Sequence, residues 1–269
     1  MTIADTKILL LGGGDLASGV ACRFFRAGFP VLIVEKEEPL AVRREVAFAS
    51  AVYRGNMTVE DIEAKLVTDG KECGEVQGEG YIAVTTCENY RNFSPKYNKR
   101  VLIDARMFKE RPDDIDRDLA DLVIGLGPGF SAGDNVDVVV ETSRDHYLGR
   151  AIYQGEPAAY TGRPGSILGL SEERVIHAED DGLFSSGRSI GEHIRRGERL
   201  GELAGGSIEA PIGGVIRGLL KPGLQVKAGT KLADIDPRGE EEYAFHISDK
   251  ALAVGGGALE AVLHCLDIN

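Results

Sequence analysis

The sequence lacks several features that would place the chain in a specialised class. Its four cysteines, Cys22, Cys73, Cys87 and Cys265, never form a C-x-x-C pair, which argues against a zinc ribbon or a disulfide framework, so no metal site is expected. No apolar run is long enough to span a bilayer, and the first residues lack the basic and apolar segments of a secretion signal. We therefore expect a cytoplasmic protein with reduced thiols and no membrane partner.

Positive charge is also scarce. The chain has 31 Lys and Arg against 43 Asp and Glu, a net charge of −12. This balance argues against a nucleic acid or an anionic membrane as partner. Glycine, in contrast, is abundant, with 35 residues among 269. A chain of this length, with 43% hydrophobic residues, can bury one or two cores.

The first forty residues predict a strand, a helix and a second strand. The apolar run 7–11 is typical of a strand buried on both faces. Residues 15–27 contain no proline, place apolar side chains at helical spacing and are followed by Gly28, a typical residue after a helix end. Residues 29–34 predict the second strand. This order is typical of a Rossmann-type βαβ unit.

The loop between the first strand and the helix has small residues where such a unit receives a phosphate. Gly12 would permit the tight turn, and Gly14 would let a pyrophosphate approach the backbone at the helix N-terminus. Asp15 would repel that group if it pointed inward, or would cap the helix. Glu35 follows the second strand, where an acid that binds a ribose hydroxyl belongs. The alternative is that these glycines only allow close packing.

The middle of the chain predicts further strands and a second glycine loop. We expect a short helix over residues 59–67 and strands over four apolar segments. These segments are residues 81–85, 101–104, 121–124 and 136–142. The loop after the third contains Gly125, Gly127 and Gly129. Because ligands lie beyond the carboxyl ends of strands in an open α/β sheet, our hypothesis is that the two glycine loops face one cleft.

Ionisable residues are concentrated in residues 141–150. Arg144, His146 and Arg150 are candidates to bind an anion or move a proton, and the alternative is a solvated surface segment. The sequence assigns no catalytic residue. We predict that residues 1–165 form a Rossmann-like α/β domain, with a mostly parallel sheet and helices on both faces.

The region after this domain contains an internal repeat. Six small or apolar residues recur at one constant offset, which indicates duplication. The first set is Ala178, Gly182, Ile194, Gly197, Leu200 and Leu203, and the second is Ala210, Gly214, Val226, Gly229, Leu232 and Ile235. We expect two interlocking all-β halves. Residues 175–238 resemble the biotinyl/lipoyl-like barrel-sandwich hybrid.

The carrier members of that fold family hold a modified lysine at the hairpin between the halves. The corresponding residues 203–209 contain no lysine, so the resemblance implies a rigid docking module or a purely structural one. The last region, residues 245–269, predicts a helix that follows the glycine triplet 255–257 and packs back on the first domain.

Five strings in order along the chain resemble the YqeB family. They are residues 13–19 (GGDLASG), 123–130 (VIGLGPGF), 148–150 (LGR), 235–238 (IDPR) and 247–257 (ISDKALAVGGG). Residues 81–98 depart from the apolar segment that the family has at this place. The resemblance implies an accessory or maturation protein of the selenium-dependent molybdenum hydroxylase system.

The leading hypothesis is therefore a maturation factor that binds a small anionic ligand, such as a nucleotide or a molybdopterin-type compound, and assists a molybdenum hydroxylase client. Two alternatives stay open, an NAD(P)-dependent oxidoreductase and a non-catalytic scaffold for the client. A homo-oligomer is compatible with each. The candidate ligand residues are Gly12, Gly14, Asp15, Glu35, Gly125, Gly127, Gly129, Arg144, His146 and Arg150.

Overall fold

A computed structural model describes residues 3–93 and 98–266. The chain divides into two units. The larger unit contains Met1–Pro39, Ala47–Tyr160 and Ile247–Asn269, and the smaller contains Leu40–Val46 and Thr161–His246. The predicted first domain included residues 40–46, which here belong to the smaller unit. The reason is hydrogen bonding within that unit, because the amide of Leu219 donates to the carbonyl of Val42 at 2.8 Å.

Among the described residues, the larger unit forms a nine-stranded sheet with four α-helices. In chain order the elements are β1 Thr6–Leu11, α1 Asp15–Arg26, β2 Val31–Val34, α2 Ala51–Arg54, β3 Asn56–Val59, β4 Ile62–Leu66, α3 Gly70–Gly78, β5 Ile82–Thr85, β6 Lys99–Asp104, β7 Leu122–Leu126, β8 Val138–Val140, β9 Ala151–Ile152 and α4 Asp249–Cys265. The strand order is β3-β4-β5-β2-β1-β6-β7-β8-β9.

The sheet is mixed but mostly parallel. All pairs from β4–β5 through β7–β8 are parallel, and the terminal pairs β3–β4 and β8–β9 are antiparallel. The prediction of an α/β fold is thereby confirmed. Because the central strands are parallel, their carboxyl ends all lie at one edge of the sheet, here called the carboxyl edge.

Helices pack on both faces of this sheet. On one face, Cys73 and Val76 of α3 pack with Leu9 and Leu32 in one apolar cluster. A second cluster on this face contains Leu11 and Val139. Side chains alternate between faces along a strand, so Val140 points the other way. There it lies against α4, near Gly257.

The predicted strand–helix–strand start of the chain is confirmed. Every residue of β1 is buried, as expected of a central parallel strand. Helix α1 ends at Arg26, and Gly28 adopts φ +88°, the left-handed conformation that follows many helix ends. Strand β2 begins at Val31 and pairs in parallel with β1.

The predicted helix over residues 59–67 is wrong. The structure has the hairpin β3–β4 there, with Val59 opposite Ile62. Buried and exposed residues alternate along β3. The turn is tight, and Glu60 has φ +55°. The segment 81–98 contains β5, and its residues 94–97 lie outside the described part of the chain.

The C-terminal helix also differs from the prediction. The glycine triplet 255–257 lies inside α4 and does not precede it. The helix begins at Asp249, after the N-cap Ser248, whose hydroxyl accepts a hydrogen bond from the amide of Ala251 at 3.2 Å. Glycine is tolerated at these interior positions because Gly255 and Gly257 lie against neighbouring backbone.

None of the helices in the described part of the chain has the length and apolar character that a membrane span requires.

The smaller unit is all-β apart from short 3₁₀ turns. Its strands are β10 Val175–His177, β11 Gly182–Ser185, β12 His193–Ile194, β13 Arg199–Leu203, β14 Gly206–Glu209, β15 Gly214–Leu219, β16 Gln225–Val226 and β17 Lys231–Asp236. They form two four-stranded sheets, with orders β10-β17-β15-β12 and β14-β13-β11-β16. The strand pairs within both sheets are antiparallel.

Candidate functional site

The first glycine turn lies at the carboxyl edge, directly after β1. Gly12 has φ +89°, and its amide donates to the carbonyl of Val34 at 2.8 Å. A Cβ atom at Gly12 would lie 3.3 Å from backbone atoms of Ala105 and Arg106. Glycine is therefore required here both by the backbone conformation and by the close approach of the chain after β6.

Glu35 is fixed against this turn. One carboxylate oxygen accepts the amide hydrogen of Gly13 at 2.8 Å, and the other accepts that of Lys36 at 2.9 Å. Each carboxylate oxygen has two lone pairs, so the group can accept further hydrogen bonds. The acid predicted to bind a ribose is therefore held in place by the loop that would hold the phosphate.

Gly14 is the most open position of the turn. It is the N-cap residue of α1, with φ −66° and ψ −178°, and it gives no side-chain cap. A Cβ atom there would meet nothing within 4 Å, whereas one at Gly13 would lie 2.9 Å from the amide nitrogen of Ala49. The backbone of Gly14 can thus be approached from outside, at the positive end of a 12-residue helix.

The second glycine loop is closely packed. A Cβ atom at Gly125 would lie 2.6 Å from Cβ of Phe130, and one at Gly129 would lie 2.5 Å from the carbonyl oxygen of Glu110. At Gly127 it would overlap the hydroxyl of Thr142. All three glycines therefore have a packing role, and a ligand role for them stays a prediction.

The three candidate side chains after β8 lie in two places. Arg144 forms a two-point ion pair with Asp249, at 2.6 and 2.7 Å, and so contacts the first residue of α4. His146 and Arg150 instead contact Tyr147: the two ring centroids of His146 and Tyr147 lie 5.1 Å apart, and the Arg150 guanidinium lies 4.6 Å from the same tyrosine ring. All three candidate side chains belong to exposed residues.

Helices α1 and α4 bring their N-termini to the same place. A Cβ atom at Gly19 would lie 2.6 Å from Cβ of Ala251, and one at Gly255, a turn further along α4, would lie 2.9 Å from Cγ of Arg23. Contacts therefore advance along both helices together, which means that they run in the same direction. Since α1 begins at the carboxyl edge, α4 begins there too.

A group of charged side chains surrounds these two helix ends. We call it the carboxyl-edge cluster and define it as Asp15, Lys109, Glu141, Arg144 and Lys250. Burial lowers the pKa of the Lys250 amine; Asp15 and Glu141 act to raise that pKa, while Arg144 and Lys109 act to lower it. The other four groups therefore lie within electrostatic range of the Lys250 amine.

Glu141 is held firmly within this cluster, whereas Lys109 is an exposed residue. The Lys109 amine lies 4.4 Å from the ring centroid of Tyr160, and burial lowers its pKa. The buried carboxylate of Glu141 accepts the amide hydrogens of Ser143 at 2.6 Å and Ala158 at 2.7 Å. Perturbed lysines gathered at a sheet edge are typical of ligand sites.

Sequence reasoning found Asp15 and Arg144 but missed Lys109 and Lys250. No local pattern shows that residue 250 would lie near residue 15, because this proximity arises only when α4 packs beside α1. The weak signal available was Lys250 itself, which lies within one of the family-like strings, residues 247–257.

An open cleft lies beside the cluster. Residues 108–114 line a cavity of about 420 Å³ in the loop after β6. Within residues 3–93 and 98–266, no group of three His, Cys, Asp or Glu residues is placed to hold a metal ion. The site thus combines a glycine turn and two helix N-termini with the lysines Lys109 and Lys250, the carboxylates Asp15 and Glu141, and an open cleft.

Comparison with known proteins gives a homologue over nearly the whole chain. No family model matches the sequence. The chain is 40% identical over 259 residues to the uncharacterized protein YqeB of Escherichia coli (strain K12), an alignment that covers 95% of this chain and 47% of that protein. The chain spans about half the length of this curated relative.

Solved structures overlap the chain only weakly. The apo structure of the ectoine utilization protein EutE (DoeB) from Ruegeria pomeroyi is 12% identical and covers 86% of this chain and 87% of that one, with a TM-score of 0.27. A succinylglutamate desuccinylase/aspartoacylase from Rhodobacter sphaeroides is 14% identical, with coverages of 85% and 84% and a TM-score of 0.26. Overlaps at this level carry no argument about fold or activity.

Proposed function

We propose that this chain binds a small phosphate-bearing ligand, with the phosphate at the N-terminus of α1 and a nucleotide as the favoured ligand class. One observation carries the proposal: Gly14 caps a long helix without a side chain and leaves its backbone open to approach. A phosphate there would receive amide hydrogen bonds and the favourable helix dipole.

Two further features support a nucleotide and a Rossmann-like unit. Five of the seven parallel strands, β5-β2-β1-β6-β7, follow the order 3-2-1-4-5 among themselves, which corresponds to the order found in dinucleotide-binding sheets; β4 is an additional parallel strand beside β5. Glu35 lies beside the turn with acceptor capacity for a ribose diol. Its negative charge would repel a 2′-phosphate, so NAD is favoured over NADP for the oxidoreductase alternative.

The biological role that we propose is that of a YqeB-family accessory protein of the selenium-dependent molybdenum hydroxylase system. It rests on the five family-like strings and on the 40% identity to YqeB. The ligand could then be a nucleotide or a molybdopterin-type phosphate, and the client would be a molybdenum hydroxylase. The all-β unit, proposed as a barrel-sandwich hybrid, would serve as the docking module. Cytoplasmic location and homo-oligomer formation stay predictions.

A thermal-shift panel tests the ligand site. The probes are AMP, ADP, NAD⁺, NADP⁺ and inorganic pyrophosphate at millimolar concentration. A ligand present at a hundred times its Kd stabilises the fold by about 2.7 kcal/mol, which raises the Tm by about 5–10 °C for a chain of this size. The variant Gly14→Ala keeps an allowed backbone conformation but fills the open space, so the shift should disappear.

The matched control is Gly78→Ala. Gly78 is also a helix-terminal glycine with no atom within 4 Å of a built Cβ, and it belongs to α3. This variant should keep the full ligand shift. No shift with any probe, or an equal shift in Gly14→Ala, would contradict the proposal. A client hydroxylase that co-purifies equally well with Gly14→Ala would favour the scaffold alternative.

A further inference from the structure

The cleft of residues 108–114 adjoins the proposed phosphate site. A Cβ atom at Gly12 of the turn would lie 3.3 Å from backbone atoms of Ala105 and Arg106, which come just before the cleft segment. A Cβ atom at Gly129 would lie 2.5 Å from the carbonyl oxygen of Glu110 within that segment. Both glycine loops therefore pack against the loop that forms the cleft. The cleft segment therefore continues directly from the part of this loop against which Gly12 packs.

The cleft offers an aromatic face that is held in place. The ring of Phe108, a residue that is 43% exposed, lies 4.6 Å from the guanidinium of Arg106. Arg106 is in turn fixed by several hydrogen bonds with the buried carboxylate of Asp104 and by two with Asp114, at 2.7 and 2.8 Å. An exposed large apolar ring on a rigid support is the usual stacking partner of a planar heterocycle.

Lys109 belongs both to the cleft and to the carboxyl-edge cluster. It lines the cleft, and it also acts electrostatically on Lys250. Lys109 is an exposed residue whose amine lies 4.4 Å from the ring centroid of Tyr160, and partial burial lowers its pKa. A cation near a second lysine is stabilised by an anion, so Lys109 is placed to contact the phosphate end of a ligand.

We propose, on the basis of the proposed function, that the cleft of residues 108–114 binds the planar heterocycle of the phosphate ligand, with the ring stacked on Phe108 and Lys109 contacting the phosphate. The ligand class is thus a mononucleotide-like compound with a purine, flavin or pterin ring. A compound of this size fits the cleft of residues 108–114, which has a volume of about 420 Å³.

Calorimetric titration with three probes tests this assignment. Ribose 5-phosphate has no ring, whereas AMP and flavin mononucleotide add a planar heterocycle. At least one ring-bearing probe should bind about 5-fold more tightly, or better, than ribose 5-phosphate. Phe108→Ala should remove this gain and leave ribose 5-phosphate binding unchanged. Lys109→Met should weaken the binding of all probes alike, by about 10-fold.

The control is Phe245→Ala, because Phe245 is as exposed as Phe108 but belongs to the smaller unit. It should leave all three affinities unchanged. If ribose 5-phosphate binds and neither ring improves its affinity, or if Phe108→Ala changes nothing, the cleft proposal is overturned while the phosphate site stands. If none of the probes binds, both proposals are overturned.

Discussion

The three consecutive glycines of α4 have different surroundings, and each should respond differently to alanine. A Cβ atom at Gly256 would meet nothing within 4 Å. One at Gly257 would lie 2.9 Å from the carbonyl carbon of Gly149 and closer still to its oxygen. At Gly255 it would lie 2.9 Å from Cγ of Arg23 and 3.0 Å from the carbonyl oxygen of Gly19. Because all three share one helix, intrinsic helix propensity favours alanine equally at each.

The environment therefore determines the sign of each change in the free energy of unfolding. Gly256→Ala should stabilise the protein by about 0.5–1 kcal/mol. Gly257→Ala should cost about 1–3 kcal/mol through overpacking, because Gly149 has φ +80° and its amide donates to the carbonyl of Glu141 at 2.9 Å. If Gly149 moved away, this hydrogen bond would be lost at a further cost of about 1 kcal/mol. Gly255→Ala should fall between them, since the Arg23 chain can move.

Urea unfolding followed by circular dichroism measures these differences. The expected order of midpoints, from high to low, is Gly256→Ala, the unchanged protein, Gly255→Ala and Gly257→Ala. The first and last variants should differ by about 2–4 kcal/mol. A midpoint for Gly257→Ala at or above that of the unchanged protein would refute the packing of α4 against residue 149.

Two other predictions concern ionisable groups. Cys22 is fully buried, and burial raises its pKa to about 12. A thiol reagent at pH 8 should therefore modify the exposed Cys265 in the native protein, and Cys22 only after unfolding. Equal modification rates of the two cysteines in the native protein, measured by mass spectrometry, would contradict this prediction. In the folded protein the pKa of Lys250 is lowered below 10.5. At pH values between the lowered pKa and 10.5, the unfolded chain therefore binds more protons than the folded protein does. The contribution of Lys250 to the free energy of unfolding rises with pH in this window. The stability of Lys250→Met relative to the unchanged protein should therefore fall as pH rises in this window. Asp181 raises the pKa of Lys227 above 10.5, so Lys227→Met should show no slope in this window and the opposite slope above pH 10.5. Equal slopes of the two variants in urea unfolding below pH 10.5 would exclude this assignment.

The start of the chain could be predicted from sequence because its signals are local. The strand β1, the helix α1 and the turn at Gly28 depend on residues close together in the chain, and the structure has each of them. The position of Glu35 at the end of β2 follows from the same pattern. Its hydrogen bond to the amide of Gly13 follows from parallel pairing, which places the two strand ends side by side.

The rest of the candidate site could not be predicted, because it depends on contacts between distant segments. Residues 59–67 carry apolar side chains at spacings that fit a helix, but the short apolar alternation Ile62, Ala64 and Leu66 forms a strand once β5 is available to pair with it. The glycine triplet of α4 suggested a helix boundary, since glycine disfavours helix interiors. Tertiary packing overrides this preference where two helices approach closely.

The duplication in the all-β unit shows what constant spacing can and cannot establish. The repeat offset relates β10, β11, β12 and β13 to β14, β15, β16 and β17 in turn. If each strand of the sheet β10-β17-β15-β12 is replaced by its counterpart in the other copy, the result is β14-β13-β11-β16. This is the strand order of the second sheet. Each sheet therefore contains strands of both copies, and β11 pairs with β13 of its own copy and with β16 of the other. Since neither copy can complete a sheet by itself, the two halves must fold together.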